Sequence, residues 1–569
     1  KLFDKGYLSS RDHHCLASAY EFLRLVEHRL QLDLGQQVHT LPGEPRALEL
    51  LARRCGLGTA RELACRLEES LQSVRAIYER VLAGASPAPD TTDSWLRGPE
   101  SVRRRGAALV SETLERLAAH QPAGLEPLRP EAVPARARRP LGRFLAAATS
   151  SSSGFEEVAR AVAALPAAVE VFRLSRPLGE FLIRDPGRLA YLLGAGEHGG
   201  RSESQPALPL EAPSPTVLSP ALAAAVESQQ PFPECMAGLR RYFSEEVFRW
   251  GARSPLGSWP LEEALRDYTV LTEEILRAGL LVASREESVR NRTGFSVLAL
   301  GRLGTAEMDL GSDADLVFVA ADAKAQARWR PVAEKLIHVV SGYTREGTLF
   351  PIDVRLRPRG GEGELVQTGA GMLDYFAQSA EVWEAVTYLK ARPVAGDRAV
   401  GEDWCAQMRA ALAARFADWE GVRRGLREMR ARLETEGAKG AQGEQDLKAG
   451  AGGFYDLDFL FSGLALRAGA RSLADCPLAR QAEIAAGEEL SADDRRLLAA
   501  AARLLRAVEH ATRLVTGQSA SLLPAGAARA AIAELTGRWL GEPLRAEDLA
   551  RQLGDMRARV RALFERVFG

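Results

Sequence analysis

The sequence predicts a mainly α-helical protein made of helical bundles, with one embedded α/β (α+β) domain. Two compositional facts and one local exception carry that expectation. Hydrophobic residues make up 46% of the 569 positions but aromatics only 7%, which favours aliphatic helix-on-helix packing. Apolar residues recur at helical spacing along most of the chain. Only residues 295–357 break the rule, with three short β-type runs: FSVLAL (295–300), DLVFVA (315–320) and LFPIDVRL (349–356).

Taken in order, Leu16, Tyr20, Leu23, Leu25, Val26 and Leu30 mark a first helix behind a Ser10 cap. A second helical stretch runs over 45–82. The segment GASPAPDTTDSW then reads as a boundary, and further Pro-rich breaks fall at 121–140 and 194–220. The last is polar and proline-dense enough for a mobile loop. At about 150 residues per domain, three or four domains are expected. The partition is a helical segment over 1–83, a Pro-rich linker with helix over 84–140, a helical connector over 141–255, the α/β domain over 256–400 and a closing bundle over 401–569.

An internal repeat sharpens this partition. EFLRLVEHRLQLDLGQQVHTLP (21–42) recurs as RLLRAVEHATRLVTGQSASLLP (503–524), and RAIYERV (75–81) recurs as RALFERV (561–567). The simplest reading is two tandem units, of which the first survives here as its final helical piece. On that reading the sequence is a fragment of a longer chain.

Charge and cysteine usage exclude several functions. The 74 basic and 75 acidic residues leave a net charge of -1, so no global field recruits nucleic acid or an anionic membrane. Only seven of the basic residues are lysines. The six cysteines (Cys15, Cys55, Cys65, Cys235, Cys405, Cys476) are scattered without a Cys-x-x-Cys pair, as expected in a reducing cytosol. No apolar run approaches the roughly 20 residues a membrane span needs. A cytoplasmic protein is the expectation.

Chemistry concentrates in the α/β island. In an extended chain Asp313 and Asp315 project to the same side, and Asp353 lies in a second β-type run. An isolated Asp-x-Asp would be a solvated loop end. Here it enters an apolar strand behind a Gly-Ser turn, and burying three unpaired carboxylates would cost several kcal/mol each without cations. The three are therefore candidate ligands for one or two Mg²⁺ ions, suited to phosphoryl or nucleotidyl transfer. Gly304, Gly311 and Ser312 would let backbone amides approach phosphate oxygens.

The motifs Gly301-Arg302-Leu303-Gly304, Glu307-Met308 and Gly311-Ser312-Asp313-Ala314-Asp315-Leu316 resemble the signature of the glutamine synthetase adenylyltransferase family. Asp353-Val354-Arg355-Leu356-Arg357-Pro358 resembles that family's third-carboxylate strand. Trp383, Glu384, Lys390, Ala391 and Arg392 resemble the helix and strand after it. Lys448, Gly450, Gly452, Gly453, Asp456 and Phe459 resemble the entry into its C-terminal helical domain. The resemblance implies a polymerase-beta-type nucleotidyltransferase domain. It also implies Mg²⁺-dependent transfer of AMP from ATP to a tyrosine hydroxyl of glutamine synthetase, with a PII-type signalling protein and glutamine as regulators. Phosphorolytic removal of AMP, or a weakly catalytic scaffold, are the alternatives. Three departures from the family pattern stand out: Thr305 after Gly304, Arg302 for a common lysine, and Asp458 for the usual glutamate.

Other residues stay open between two roles. Arg355 and Arg357, expected on the same strand face as Asp353, either contact phosphate or pair with the acidic cluster. Lys448 either reaches a phosphate or belongs to a glycine-rich hinge that caps a helix. His28 and His510 lack companion ligands and read as partly buried structural histidines, with Glu27 and Glu509 in packing or helix–helix hydrogen bonding; His13-His14 reads as surface.

Overall fold

The computed structural model describes residues 16, 19–20, 22–26, 42, 45–55, 57, 59–82, 112–117, 133–149, 152–193, 218–227, 230–256, 259–291, 293–437, 446–484, 489–519 and 522–569. The chain divides into two compact units, Lys1–Ser150 and Ser151–Gly569. His13, His14, Glu27, His28 and most of the loop expected at 194–220 lie outside the described residues.

In the first unit the expected helix over 45–82 is two helices, α1 (Pro45–Arg54) and α2 (Ala60–Leu82). The amides of Cys55 and Leu57 close the first by reaching back to Leu51 and Ala52 carbonyls, and the Thr59 hydroxyl accepts from the Glu62 amide at 3.2 Å to open the second. Phe22, Val26, Leu51, Ala52, Leu57 and Leu63 form its small core. A third helix, α3 (Ala135–Ala148), contains Pro140 and runs across the position where the linker was expected to end. Its buried stripe of Ala137, Leu141, Phe144, Leu145 and Ala148 has helical period, and that packing outweighs the lost proline hydrogen bond.

The second unit is built round a five-stranded sheet in order β3-β2-β1-β5, with β4 also paired to β2. The strands are β1 (Phe295–Ala299), β2 (Ala314–Ala320), β3 (Ile352–Asp353), β4 (Val366–Thr368) and β5 (Arg392–Gly396). β1 runs antiparallel to β2 and β5, whereas β3 and β4 run parallel to β2. The fold class expected from the sequence is therefore the one observed. Two details differ. The run at 349–356 shrinks to two strand residues, because the Asp353 carboxylate accepts from the Arg355 amide at 2.8 Å and turns the chain. β4 lies outside the three marked runs, being too short to show a period.

Helices α4 (Phe232–Leu256), α5 (Leu261–Glu286) and α7 (Ala323–Ser341) share one core with a single face of the sheet; α6 is the short turn Gly301–Gly304. Phe295 stacks on Trp329 with ring centroids 4.5 Å apart. Beyond the sheet come α8 (Val382–Tyr388), α9 (Arg398–Arg415) and α10 (Trp419–Gly437). The closing bundle contains α11 (Phe454–Arg467), α12 (Leu478–Ile484), α13 (Ala492–Thr516), α14 (Ala527–Leu540) and α15 (Ala546–Phe568). No helix of the described residues is long and apolar enough to cross a membrane.

Candidate functional site

Strand alternation places the acidic residues. Ala314, Leu316, Phe318 and Ala320 all enter the core shared with α5 and α7, so the odd positions of β2 face the other way. Asp315 thus projects from the face opposite that core, and Asp313 has the same parity just before the strand. The parallel pairing sets Asp315 directly beside Asp353 on β3, about 4.8 Å away in backbone spacing. All three carboxylates line a cleft of about 480 Å³ between this sheet edge and helices α11, α12 and α13.

Their electrostatics follow from that crowding. Burial, then repulsion from Asp353 and Asp313, pushes the Asp315 carboxyl up to about 6, with Lys448 and Lys390 opposing. Asp353 goes the other way: the Arg355 hydrogen bonds hold it below the usual carboxylate range despite partial burial. Arg355 reaches Asp353 at 2.6 Å through Nη2, and at 3.0 and 3.1 Å through Nε. As the side chains stand, no three His, Cys, Asp or Glu among the described residues are gathered for an ion; Asp353 is held by Arg355 instead. The donor set nonetheless fits Mg²⁺, with three hard oxygen donors, one of them destabilised by its neighbours. The Arg355 side chain is 79% exposed, so its ion pair is the weak kind that a metal displaces.

The other expected residues divide. Ser312 and Lys448 line the cleft, as does Arg355. Among the described residues the Ser312 hydroxyl is buried without a hydrogen-bond partner, as is Nη1 of Arg302 on the same wall. Unpartnered buried donors in a cleft wall are suited to an incoming acceptor. Arg357 is not on the lining; its guanidinium donates to the carbonyls of Val354, Gly363 and Gly361 and braces the turn after β3. The shared strand face expected for Arg355 and Arg357 does not exist, since the strand ends at Asp353. Gly304 is also off the lining. A Cβ there would stand 2.3 Å from the Lys390 carbonyl oxygen, so Gly304 permits the close approach of α6 to the chain before β5. The Gly450–Gly453 segment leads into α11 with Gly453 at its N-cap, and Lys448 just before it still reaches the cleft.

Gly301 is needed for Asp315 itself. Its φ of +52° is left-handed, and a Cβ would lie 2.1 Å from an Asp315 carboxylate oxygen. Gly301→Ala is expected to keep the fold, at about 1–2 kcal/mol of strain, while displacing that carboxylate. Activity at the site should fall roughly 100-fold. Steady-state kinetics beside a thermal melt check this, and undiminished activity would remove Gly301 from the role.

The opposite wall is an ion-pair lattice that the sequence reading largely missed. Glu509 on α13 joins Arg302, Arg506 and Arg513. Arg506 also binds Glu307 at 2.8 Å. Arg513 donates to the Leu310 carbonyl at 2.7 Å. This lattice pins the segment between α6 and β2 onto the closing bundle. The signal was the Arg506-x-x-Glu509-x-x-x-Arg513 spacing, which lays all three on one helix face inside the repeated segment. Lys390 on the chain before β5 pairs with Asp458 on α11, and Phe454 packs under the Arg506 guanidinium at 4.8 Å.

His510 is wholly buried rather than partly so, and its Nδ1 lies 2.8 Å from the Asp309 carboxylate. Burial alone would raise the Asp309 carboxyl; the charge and hydrogen bond of His510, then Arg513 and Arg302, more than offset it and hold it below its ordinary 3.8. The stabilisation is complete above the ordinary value and is lost as pH falls through the lower folded one. Denaturant midpoints at about pH 5 and about pH 3 should therefore fall more steeply for the native chain than for Asp309→Asn. Equal slopes would show that Asp309 does not carry this dependence.

Comparison with known proteins agrees with this geometry. Residues 167–408 match the family model described as glutamate-ammonia ligase adenylyltransferase. The model described as GlnD PII-uridylyltransferase matches two separate stretches, 1–82 and 421–568, which are the two stretches that hold the internal repeat. A bifunctional glutamine synthetase adenylyltransferase/adenylyl-removing enzyme of Mesorhizobium japonicum is 30% identical over 514 residues, covering 81% of this chain and 50% of that protein. The enzyme of the same name from Xanthomonas oryzae pv. oryzae is 31% identical over 508 residues, covering 83% and 53%. The chain thus spans about half the length of the curated relatives it matches. With the matched region enclosing the three carboxylates and the repeated helical segments on either side of it, the chain is similar over most of its length to the bifunctional glutamine synthetase adenylyltransferase/adenylyl-removing enzymes.

Proposed function

We propose that this chain transfers AMP from ATP to a tyrosine hydroxyl of glutamine synthetase, in the cytoplasm, with release of pyrophosphate. The observation that carries the reading is the in-register pairing of Asp315 with Asp353, with Asp313 on the same side. The cleft balance supports it. Six cationic side chains (Arg302, Arg355, Lys390, Lys448, Arg506, Arg513) face six acidic ones (Glu307, Asp313, Asp315, Asp353, Asp458, Glu509). Such a neutral cleft accepts a triphosphate only together with metal cations.

Asp313, Asp315 and Asp353 would hold Mg²⁺, which supplies charge neutralisation on the phosphates when bound. The protein's own groups do the rest. Ser312 and Arg302 offer their free donors to phosphate oxygens, and Lys448 adds charge from the helical domain. The lattice round Glu509 fixes the wall so that the reacting groups meet without reorganisation. The tyrosine oxygen attacks the α-phosphorus, the bond to the β-phosphate oxygen breaks, and pyrophosphate leaves with the electron pair. Once Arg355 has moved aside, the Asp353 carboxylate is free to act as a ligand and to accept the proton of the attacking tyrosine hydroxyl.

A PII-type protein and glutamine are the regulators this reading carries with it. Incubation with ATP, Mg²⁺ and glutamine synthetase should add one adenylyl group per modified subunit, at a tyrosine. The removal reaction would instead consume phosphate and adenylylated enzyme and release ADP. ADP release without adenylyl gain would replace the proposal with that alternative.

A further inference from the structure

A second cleft, of about 400 Å³, opens between α5, β5, α9 and the segment 472–475. Five arginines face it against three acidic residues, so its field favours anions. Arg277, from α5, is the reason to look further. Its side chain is nine-tenths buried, and its one ion pair among the described residues, from Nη1 to Glu273, is long at 3.6 Å. Glu273 is already engaged by Arg392 at 2.5 Å. Nε and Nη2 of Arg277 are buried with no hydrogen-bond partner among the described residues. These two nitrogens form one edge of the guanidinium, the edge that grips a carboxylate or phosphoryl group through two parallel hydrogen bonds. A buried guanidinium left in this state is destabilising unless an acceptor arrives.

The cleft is also wired to the segment that precedes Asp313. Arg392, on its wall, donates to the carbonyls of Leu303 at 2.7 Å and Gly304 at 3.1 Å. Thr269, also on the wall, accepts from the Met308 amide at 2.9 Å. Glu273 bridges Arg277 to Arg392, so an anion on Arg277 competes with the carboxylate that also holds Arg392.

We propose that this cleft is an effector site for a small oxyanion, gripped by the Nε–Nη2 edge of Arg277, whose binding is felt by residues 301–312. The ligand class is a carboxylate or phosphoryl group of small size; nothing in the inference depends on the reaction at the other cleft.

The test is isothermal titration of the full chain with succinate and, separately, inorganic phosphate, together with amide hydrogen exchange over 301–312. One saturable site is expected for at least one of the two ions, and the ion that binds identifies the class. Arg277→Met should weaken it tenfold or more. Arg409→Glu, at a half-buried position on the cleft wall, should do the same and covers the case in which the first variant fails to fold. Exchange over 301–312 should change on saturation. No saturable binding of either ion, binding unaltered in a folded variant, or unchanged exchange at saturation would each overturn the proposal.

Discussion

Asp315→Asn is expected to lower AMP transfer by at least roughly 1,000-fold, since electrostatic stabilisation at a phosphoryl centre is the main catalytic lever. Stability should not fall with it. The native carboxylate is pushed up to about 6 by burial and then by Asp353 and Asp313, so ionising it works against the folded state, and the amide removes both penalties. Mg²⁺ should raise the melting temperature of the native chain and leave that of the variant unchanged. A variant that still transfers AMP, or that melts far below the native chain, would take Asp315 out of the proposed centre.

The second large effect concerns the turn that carries Lys448. Arg430 on α10 and Asp456 on α11 form an ion pair with 1% and 0% of their side chains exposed. Arg430 also donates to the Gly450 carbonyl at 3.1 Å, and Asp456 accepts from the Gly452 amide at 2.5 Å. The pair thus knots the glycine-rich segment onto two helices. Arg430→Met leaves Asp456 with Arg561, 3.5 Å away, as its ion-pair partner among the described residues. Removing one partner of a buried pair costs about 3–5 kcal/mol, whereas replacing both by apolar groups is often nearly neutral. Denaturant unfolding should show that loss for the single variant and its partial recovery in Arg430→Met with Asp456→Leu. A loss under about 1 kcal/mol in the single variant would mean the knot is not needed.

Much of the fold was legible because its signals are local. The short apolar β-type runs of β1 and β2 and the Gly-Ser turn before Asp313 can each be read within a few positions. The repeat around Val508-Glu509-His510 exposed the closing bundle. What escaped depends on contacts distant in sequence. Asp353 belongs beside Asp315 through a parallel pairing, but the early end of its strand is caused by its own side chain, and that carries Arg357 away from the cleft. Pro140 reads as a break, yet a buried apolar stripe keeps α3 continuous. Arg506 and Arg513 are made a wall only by contacts with Glu307, Asp309 and Leu310, some 200 positions earlier. Gly304 looked like a phosphate-loop glycine, but what decides its role is the carbonyl of Lys390.

The central claim is that Asp313, Asp315 and Asp353 form one metal and nucleotide centre. Anomalous diffraction from crystals of the chain grown with Mn²⁺ and a non-hydrolysable ATP analogue tests it most directly. The account predicts metal at about 2.1–2.2 Å from oxygens of all three carboxylates, the triphosphate against Ser312 and Arg302, and Arg355 swung off Asp353. Metal bound elsewhere, or a nucleotide seated in the cleft with Asp353 still clasped by Arg355, would contradict it.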